Sequence, residues 1–332
     1  MLMIENNKSL NQEFYNYFLG LFDDFVYNFR IELQFMEETH INSFKSSAFR
    51  SVLSYIIKKN SCPFKSFLCE DCLIKSDCVY YNLFETKVRS LNINNGKNIL
   101  FDTYKHFILL SENKQTYIKS NDIITLNLIL FAESIKYLPN IFFSLIEVGK
   151  TVGIGKERAK FFVISLYNND RKVYDIKESH ISFTTIESYK FDRIEVGEKI
   201  KVVFKEPLIL KEMTDEVDFK LLIKLILRRM SLLITYNRKY GLIDKNKYLE
   251  LKYSLLKEAE SIKLISFNTK NTLDIRFSMS KHKEILFKGK IGEYVYSGNF
   301  NNFGRILEIG KIIGVGKNCS FGFGRYIIEK LN

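Results

Sequence analysis

Four histidines, one tight group of cysteines and two glycine-rich loops hold most of the chemistry available to this 332-residue chain. The histidines are His40, His106, His180 and His282. An imidazole changes charge near neutral pH, so each is a candidate for proton transfer. His282 lies in SKHKEILFKGK among Lys281, Lys283 and Lys288, where it either meets a polyanion or belongs to a solvated basic loop. His106 and His180 read as strand residues with no basic cluster at hand, so structural roles are expected for both. His40 stands at the mouth of a predicted helix, five residues before Lys45 and ten before Arg50.

Cys62, Cys69, Cys72 and Cys78 give C-x6-C-x2-C-x5-C within 17 residues. In a reducing compartment that clustering points to metal rather than disulfides. The C-x2-C pair can clamp one ion and four thiolates complete a tetrahedron, so a structural zinc is the first expectation. An iron–sulfur cluster uses the same ligands, and free thiols packed under a loop are the third reading. The fifth cysteine, Cys319, is far from the group in sequence and is expected to pack.

The glycine loops are GIGKER at 153–158 and GVGKNC at 314–319, the second continuing through Gly322 and Gly324 to Arg325. Glycine admits positive φ and close backbone approach. Successive N–H groups where Gly314, Gly316, Gly322 and Gly324 crowd one turn, with Lys317 and Arg325 among them, would make a phosphate-binding concavity; the alternative is a tight turn that needs glycine only for packing. The Walker pattern G-x-x-x-x-G-K-[ST] is absent, and no G-x-G-x-x-G follows a strand, so nucleotide sites of those kinds are excluded.

These residues need elements to position them. Phe25 to Met36 alternates apolar and polar residues and predicts a strand. A helix follows, with Phe44, Ala48, Val52, Tyr55 and Ile56 on one stripe and Asn42 or Ser43 as its cap. Ile123 to Phe131 predicts a buried strand, Ser134 to Val148 a helix interrupted at Pro139, and Ala159 to Leu166 another strand. The second half repeats the order: strand Lys199 to Leu210, basic helix Asp218 to Tyr240, strands Leu273 to Met279 and Ile291 to Ser297, a short helix Phe303 to Ile312, and a last strand Arg325 to Glu329. The expected fold is α+β, with two tandem ferredoxin-like (RRM-like) domains, each carrying a glycine-rich loop before its last strand. The expected domains are 1–176, with the cysteine insertion at 62–78, and 177–332, with the glycine loop at 314–324.

Lys plus Arg exceed Asp plus Glu by 50 − 38 = +12, which favours a polyanionic partner. No apolar run reaches the roughly 18 residues of a membrane span. The polar start lacks a signal peptide, so a cytoplasmic protein without a membrane partner is expected.

FGRILEIGKIIGVGKNCSFGFGRY resembles the C-terminal signature of the CRISPR repeat-RNA processing endoribonucleases of the RAMP superfamily. FKSSAFRSVL (44–53), the cysteine segment with YYNLFET (80–86), residues 130–161 and residues 276–300 resemble further parts of a cysteine-bearing subfamily, in the same order. The resemblance implies a basic cleft that binds CRISPR repeat RNA (precursor crRNA). It implies metal-independent cleavage by the RNA's own 2′-hydroxyl, leaving 2′,3′-cyclic phosphate and 5′-hydroxyl ends with no catalytic cofactor. A non-catalytic RAMP subunit that binds guide RNA beside other CRISPR effector subunits is the alternative.

Members often place a catalytic histidine near the first helix, sometimes with a tyrosine and a lysine. Carried over, this makes His40 the proton-transfer residue, Lys45 the phosphate-stabilising cation and Tyr27 the orienting hydroxyl, with His282 the second candidate. Arg50, Lys156, Arg158, Lys288, Gly314, Gly316, Lys317, Gly322, Gly324 and Arg325 are the expected RNA contacts. Many relatives carry a histidine just before the last glycine loop; this chain has Gly314, so the chemistry is expected elsewhere.

Overall fold

From Phe29 to Phe35 the strand VYNFRIELQF buries alternate side chains, as a sheet with one face on a core requires. It is β1 (Val26–Phe35) of a computed structural model that describes residues 12–64, 68–91, 98–102, 105–178, 180–191, 197–212, 214–236, 243–278 and 283–331. The chain forms two compact units: Tyr27–Glu187 with Met279–His282, and Met1–Val26 with Ser188–Ser278 and Lys283–Asn332. The division between the units thus falls after Glu187 rather than at 176, and the segment before β1 belongs with the C-terminal unit.

In the first unit β1 is followed by β2 (Thr39–His40), α2 (Lys45–Ser61), β3 (Lys87–Leu91), β4 (Asn98–Asp102), β5 (Phe107–Leu110), β6 (Tyr117–Ile118), β7 (Ile123–Phe131), α3 (Leu138–Glu147), β8 (Phe161–Asn168), β9 (Arg171–Asp175) and β10 (His180–Ile181); α1, the helix at 12–20, belongs to the other unit. The main sheet has the order β10-β9-β8-β1-β7-β5, with β2–β6 and β3–β4 as separate pairs. Apolar faces of α2 (Phe49, Leu53, Ile56, Ile57) and α3 (Leu138, Ile141, Phe142, Leu145) share one core with the strands. Tyr55 is exposed instead of lying on that stripe. Helix α2 starts after Phe44 with no side-chain cap, so neither Asn42 nor Ser43 caps it.

The second unit holds β11 (Lys199–Leu208), α4 (Phe219–Thr235), α5 (Lys245–Ala259), β12 (Lys263–Ser278), β13 (Lys283–Ser297), α6 (Gly304–Ile313) and β14 (Tyr326–Leu331). Its sheet runs β12-β13-β11-β14, every neighbouring pair antiparallel. The α4 helix begins at an Asp218 cap whose carboxylate accepts from the Leu221 N–H at 2.6 Å. The β12–β13 hairpin is far longer than the two short strands expected. Gly292, inside the expected strand Ile291 to Ser297, has φ +135°, and a Cβ there would stand 2.1 Å from the Asn268 carbonyl. Among the described residues no helix is long and apolar enough to cross a membrane.

Candidate functional site

His40 lies just past the carboxyl end of β1, where the first glycine loop closes over it. The Lys156 N–H donates to the His40 carbonyl at 2.9 Å. That approach requires glycine one residue earlier: Gly155 has φ +86°, and a Cβ there would lie 2.1 Å from Thr39 Oγ1. The next loop residue, Glu157, turns its carboxylate onto the same segment. Its Oε2 accepts from the His40 N–H at 2.7 Å and from the Thr39 hydroxyl at 2.8 Å, and its Oε1 faces His40 Nδ1 at 3.1 Å. The His40 N–H, with the Thr39 hydroxyl, holds the Glu157 carboxyl down to about 2.

Across the short β2–β6 pairing His40 stands opposite Tyr117, their rings 5.0 Å apart. The Tyr117 hydroxyl donates to Glu38 Oε2 at 2.5 Å, and this bond holds the phenol above its ordinary range, so it stays protonated. Around neutral pH the site therefore presents one imidazole with a partly exposed ring, a fixed carboxylate and a protonated phenol. Lys156 and Arg158 are exposed on the adjoining loop.

Neither Lys45 nor Tyr27 joins this group. Lys45 is fully buried; its ammonium donates to the Asn113 carbonyl at 3.0 Å and to the Gln115 carbonyl, tying the 113–115 segment to the start of α2. Burial, with Lys114 nearby, lowers its pKa to about 8. Tyr27 is the second residue of the ten-residue β1, eight steps from Phe35. At about 3.3 Å per residue that is about 26 Å from the end where His40 sits. Arg50 is buried with its guanidinium 4.1 Å from the Phe107 ring centroid, a structural stacking contact rather than an RNA contact. Sequence reasoning missed Glu157 and Tyr117. The only signal for Glu157 was its place in GIGKER, and Tyr117 carried none.

The second glycine loop repeats the first in backbone detail. Val315 N–H donates to Gly324 O at 3.0 Å, as Ile154 N–H does to Ala159 O, and Lys317 N–H donates to Ile209 O at 2.8 Å. Gly316, at φ +89°, would set a Cβ 2.5 Å from that Ile209 carbonyl. The Gly314 N–H expected to cradle phosphate is spent on the Gly310 carbonyl at 2.9 Å, the neighbouring Val315 and Lys317 amides are likewise spent on internal bonds, and Gly314, Gly322 and Gly324 are buried. These glycines are turn-formers, and the RNA-contact reading passes to the side chains. Lys317 and, on β13, Lys288 are exposed, while Arg325 is half-buried at the start of β14. In α4, Lys220 pairs with Glu260 at 2.5 Å and Arg229 is buried, its Nε donating to Ile313 O. His282, like Arg238 and Lys239, lies outside the described residues.

His106 is largely buried, and burial with Lys105 beside it lowers its pKa to about 4, in keeping with a structural histidine. Cys319 is buried with its thiol 3.4 Å from Gly316 O, the packing role expected of it. Cys62, Cys69, Cys72 and Cys78 line one pocket with Pro63, Phe64, Ile74, Lys75, Tyr80 and Tyr81. Burial pushes the Cys69 thiol up. Among the described residues no group of three or more His, Cys, Asp or Glu is arranged to hold a metal ion.

This α+β arrangement of antiparallel sheets is the fold of the Cas6 proteins. The chain superposes over 92% of its length on a Cas6 product complex (TM-score 0.54, 12% identity, all of that chain) and on Thermus thermophilus Cas6 (TM-score 0.51, 11% identity, 98% of that chain). It matches a partial Cas6-RT-Cas1–Cas2 complex equally over 92% of its length (TM-score 0.55, 12% identity), spanning 46% of that longer chain. At such identities the likeness is one of fold. Residues 202–326 match the family model of the CRISPR-associated endoribonuclease Cas6 and form a domain of that family, as the glycine-loop signature implied. Residues 24–185 match a second model, described as an N-terminal domain; the Cas6 model does not reach the cysteine segment. An uncharacterized protein of Archaeoglobus fulgidus is 24% identical over 298 residues, 89% of this chain and 95% of its own.

Proposed function

We propose that the chain binds CRISPR repeat RNA and cuts it without a metal ion in the reaction. The 2′-oxygen bonds to the adjacent phosphorus as its proton is withdrawn, the bond from phosphorus to the 5′-oxygen breaks, and the leaving oxygen takes a proton. The products are a 2′,3′-cyclic phosphate and a 5′-hydroxyl. His40 carries proton transfer, with Lys156 and Arg158 supplying positive charge at the phosphate. The observation that carries this reading is the Cas6-family domain at 202–326. The strand orders β8-β1-β7-β5 and β14-β11-β13-β12 support two ferredoxin-like halves, since each sets the first strand between the fourth and the third. The partner is the repeat RNA, in the cytoplasm; other CRISPR subunits enter only if the chain also works within a larger assembly.

The test is purified protein with cognate repeat RNA in EDTA. A single cut ending in a cyclic phosphate is expected, lost in His40→Ala while RNA binding persists. Tight binding with no cut in the unaltered chain would favour a guide-binding subunit. For the cysteine pocket the proposal is one structural zinc drawing the four thiolates together, supported by their shared pocket. Metal analysis of the native chain against a Cys69→Ser, Cys72→Ser variant tests it; equal metal content in both sinks it.

A further inference from the structure

Glu157 touches His40 through both carboxylate oxygens, and the duplicated loop shows what that contact is for. The two loops align as Gly153-Ile154-Gly155-Lys156-Glu157 and Gly314-Val315-Gly316-Lys317-Asn318. Each loop lysine N–H bonds a carbonyl just beyond the first strand of its unit: His40 in one, Ile209 in the other. Where that residue is histidine the loop carries a carboxylate; where it is isoleucine the loop carries asparagine. Closing the turn does not need the carboxylate, because the second loop closes by the same backbone bonds without it.

A neutral imidazole has one donor nitrogen and one acceptor nitrogen. Glu157 is ionised throughout the neutral range and can only accept. Its Oε1 at 3.1 Å therefore calls for the proton on Nδ1. Its Oε2, held by the His40 N–H and the Thr39 hydroxyl, keeps the carboxylate from swinging away. With Nδ1 occupied, Nε2 is the one ring nitrogen free to take or give a proton, and the His40 side chain is 61% exposed. Tyr117 on the adjacent strand flanks the ring at 5.0 Å between centroids.

We propose that Glu157 is a positioning residue that fixes His40 as the Nδ1–H tautomer and aims Nε2 at the scissile phosphate. This rests on the reading of His40 as the proton-transfer residue. The experiment is two-bond ¹H–¹⁵N NMR of the histidine rings in the full chain without RNA, above the pH at which they titrate, with His40→Ala assigning the signal. The expected result is Nδ1–H at His40 in the unaltered protein. In Glu157→Ala the ring reverts to mainly Nε2–H, the form a free histidine side chain prefers. Single-turnover cutting of repeat RNA should fall about 10- to 100-fold in Glu157→Ala with KM unchanged. Glu157→Gln, which keeps an acceptor for the backbone, should fall less.

Nε2–H at His40 in the unaltered protein overturns the proposal. So does a Glu157→Ala rate equal to the original while His40→Ala is inactive. Full cutting by His40→Ala would instead sink the functional reading of His40, a different outcome read from a different variant. If Glu157→Ala misfolds, Glu157→Gln and the tautomer of the unaltered chain still decide the matter.

Discussion

The backbone N–H of Lys156 donates to the carbonyl of His40, a bond closed between residues 116 positions apart. It makes the geometry of the candidate site a property of the glycine loop. The counterpart bond from Lys317 to Ile209 does the same backbone work with no histidine to hold. Gly155→Ala and Gly316→Ala should thus both destabilise, since each forces a side chain into positive φ against backbone or a buried hydroxyl. About 1–3 kcal/mol is expected for each in denaturant titrations. Cutting should separate them. Gly155→Ala should slow single-turnover cleavage at least about tenfold beyond its loss of folded protein, because Thr39 and His40 must shift, whereas Gly316→Ala should track the folded fraction.

Lys45 gives a prediction of the opposite kind. Its ammonium is tied to the Asn113 and Gln115 carbonyls inside the protein. Lys45→Met leaves those carbonyls without their donor and should lower stability by about 1–3 kcal/mol. Cleavage per folded molecule should stay within about twofold, since no transition-state contact is removed. A loss of cutting in fully folded Lys45→Met would return this lysine to the chemistry.

The strands and helices that frame the site were legible because their patterns are local. Val26–Phe35 and Ile123–Phe131 alternate or run apolar over nearly the predicted spans, and Pro139 falls in the first turn of α3. Helix α5, KNKYLELKYSLLKEA, escaped notice because its apolar stripe is thin, with only Leu251, Leu255 and Ala259 buried. The site was half legible. His40 stood out as one of four histidines, but Glu157 and Tyr117 reach it only through a loop closure and a two-residue β-bridge, which no spacing in the chain encodes. Lys45 misled for the complementary reason: a lysine in KSSAF reads as solvated, and only the 113–115 segment covering it shows otherwise.

His106 sets an acid limit on the first unit. Burial holds its pKa at about 4 against the ordinary 6.5, so the folded chain keeps it neutral where the unfolded chain would protonate it. Between those values the unfolded state binds more protons, and stability falls as pH drops. The shift corresponds to roughly 3 kcal/mol lost from pH 7 down to 4. Unfolding free energies measured across that range should show this slope, and His106→Gln should flatten it. An unchanged slope in the variant would place the acid sensitivity elsewhere.

The exposed cations predict how RNA binding responds to salt. Lys156, Arg158, Lys288 and Lys317 are exposed at the surface, whereas Arg50 and Arg229 are buried, and Lys290 is buried in an ion pair with Asp215. A cation that meets a phosphate releases counterions, so removing it should flatten the plot of log affinity against log salt by about 0.7 per contact on single-stranded RNA. Lys156→Ala, Arg158→Ala, Lys288→Ala and Lys317→Ala should each weaken binding and reduce the slope by about that amount, as read by fluorescence anisotropy over a series of salt concentrations. Arg50→Met should leave the slope untouched and act on stability alone. Lys290→Ala should do likewise, because its charge is already balanced by Asp215. A slope that responds to Arg50 but not to Lys156 or Lys317 would mean that RNA takes a path the glycine-loop side chains do not line.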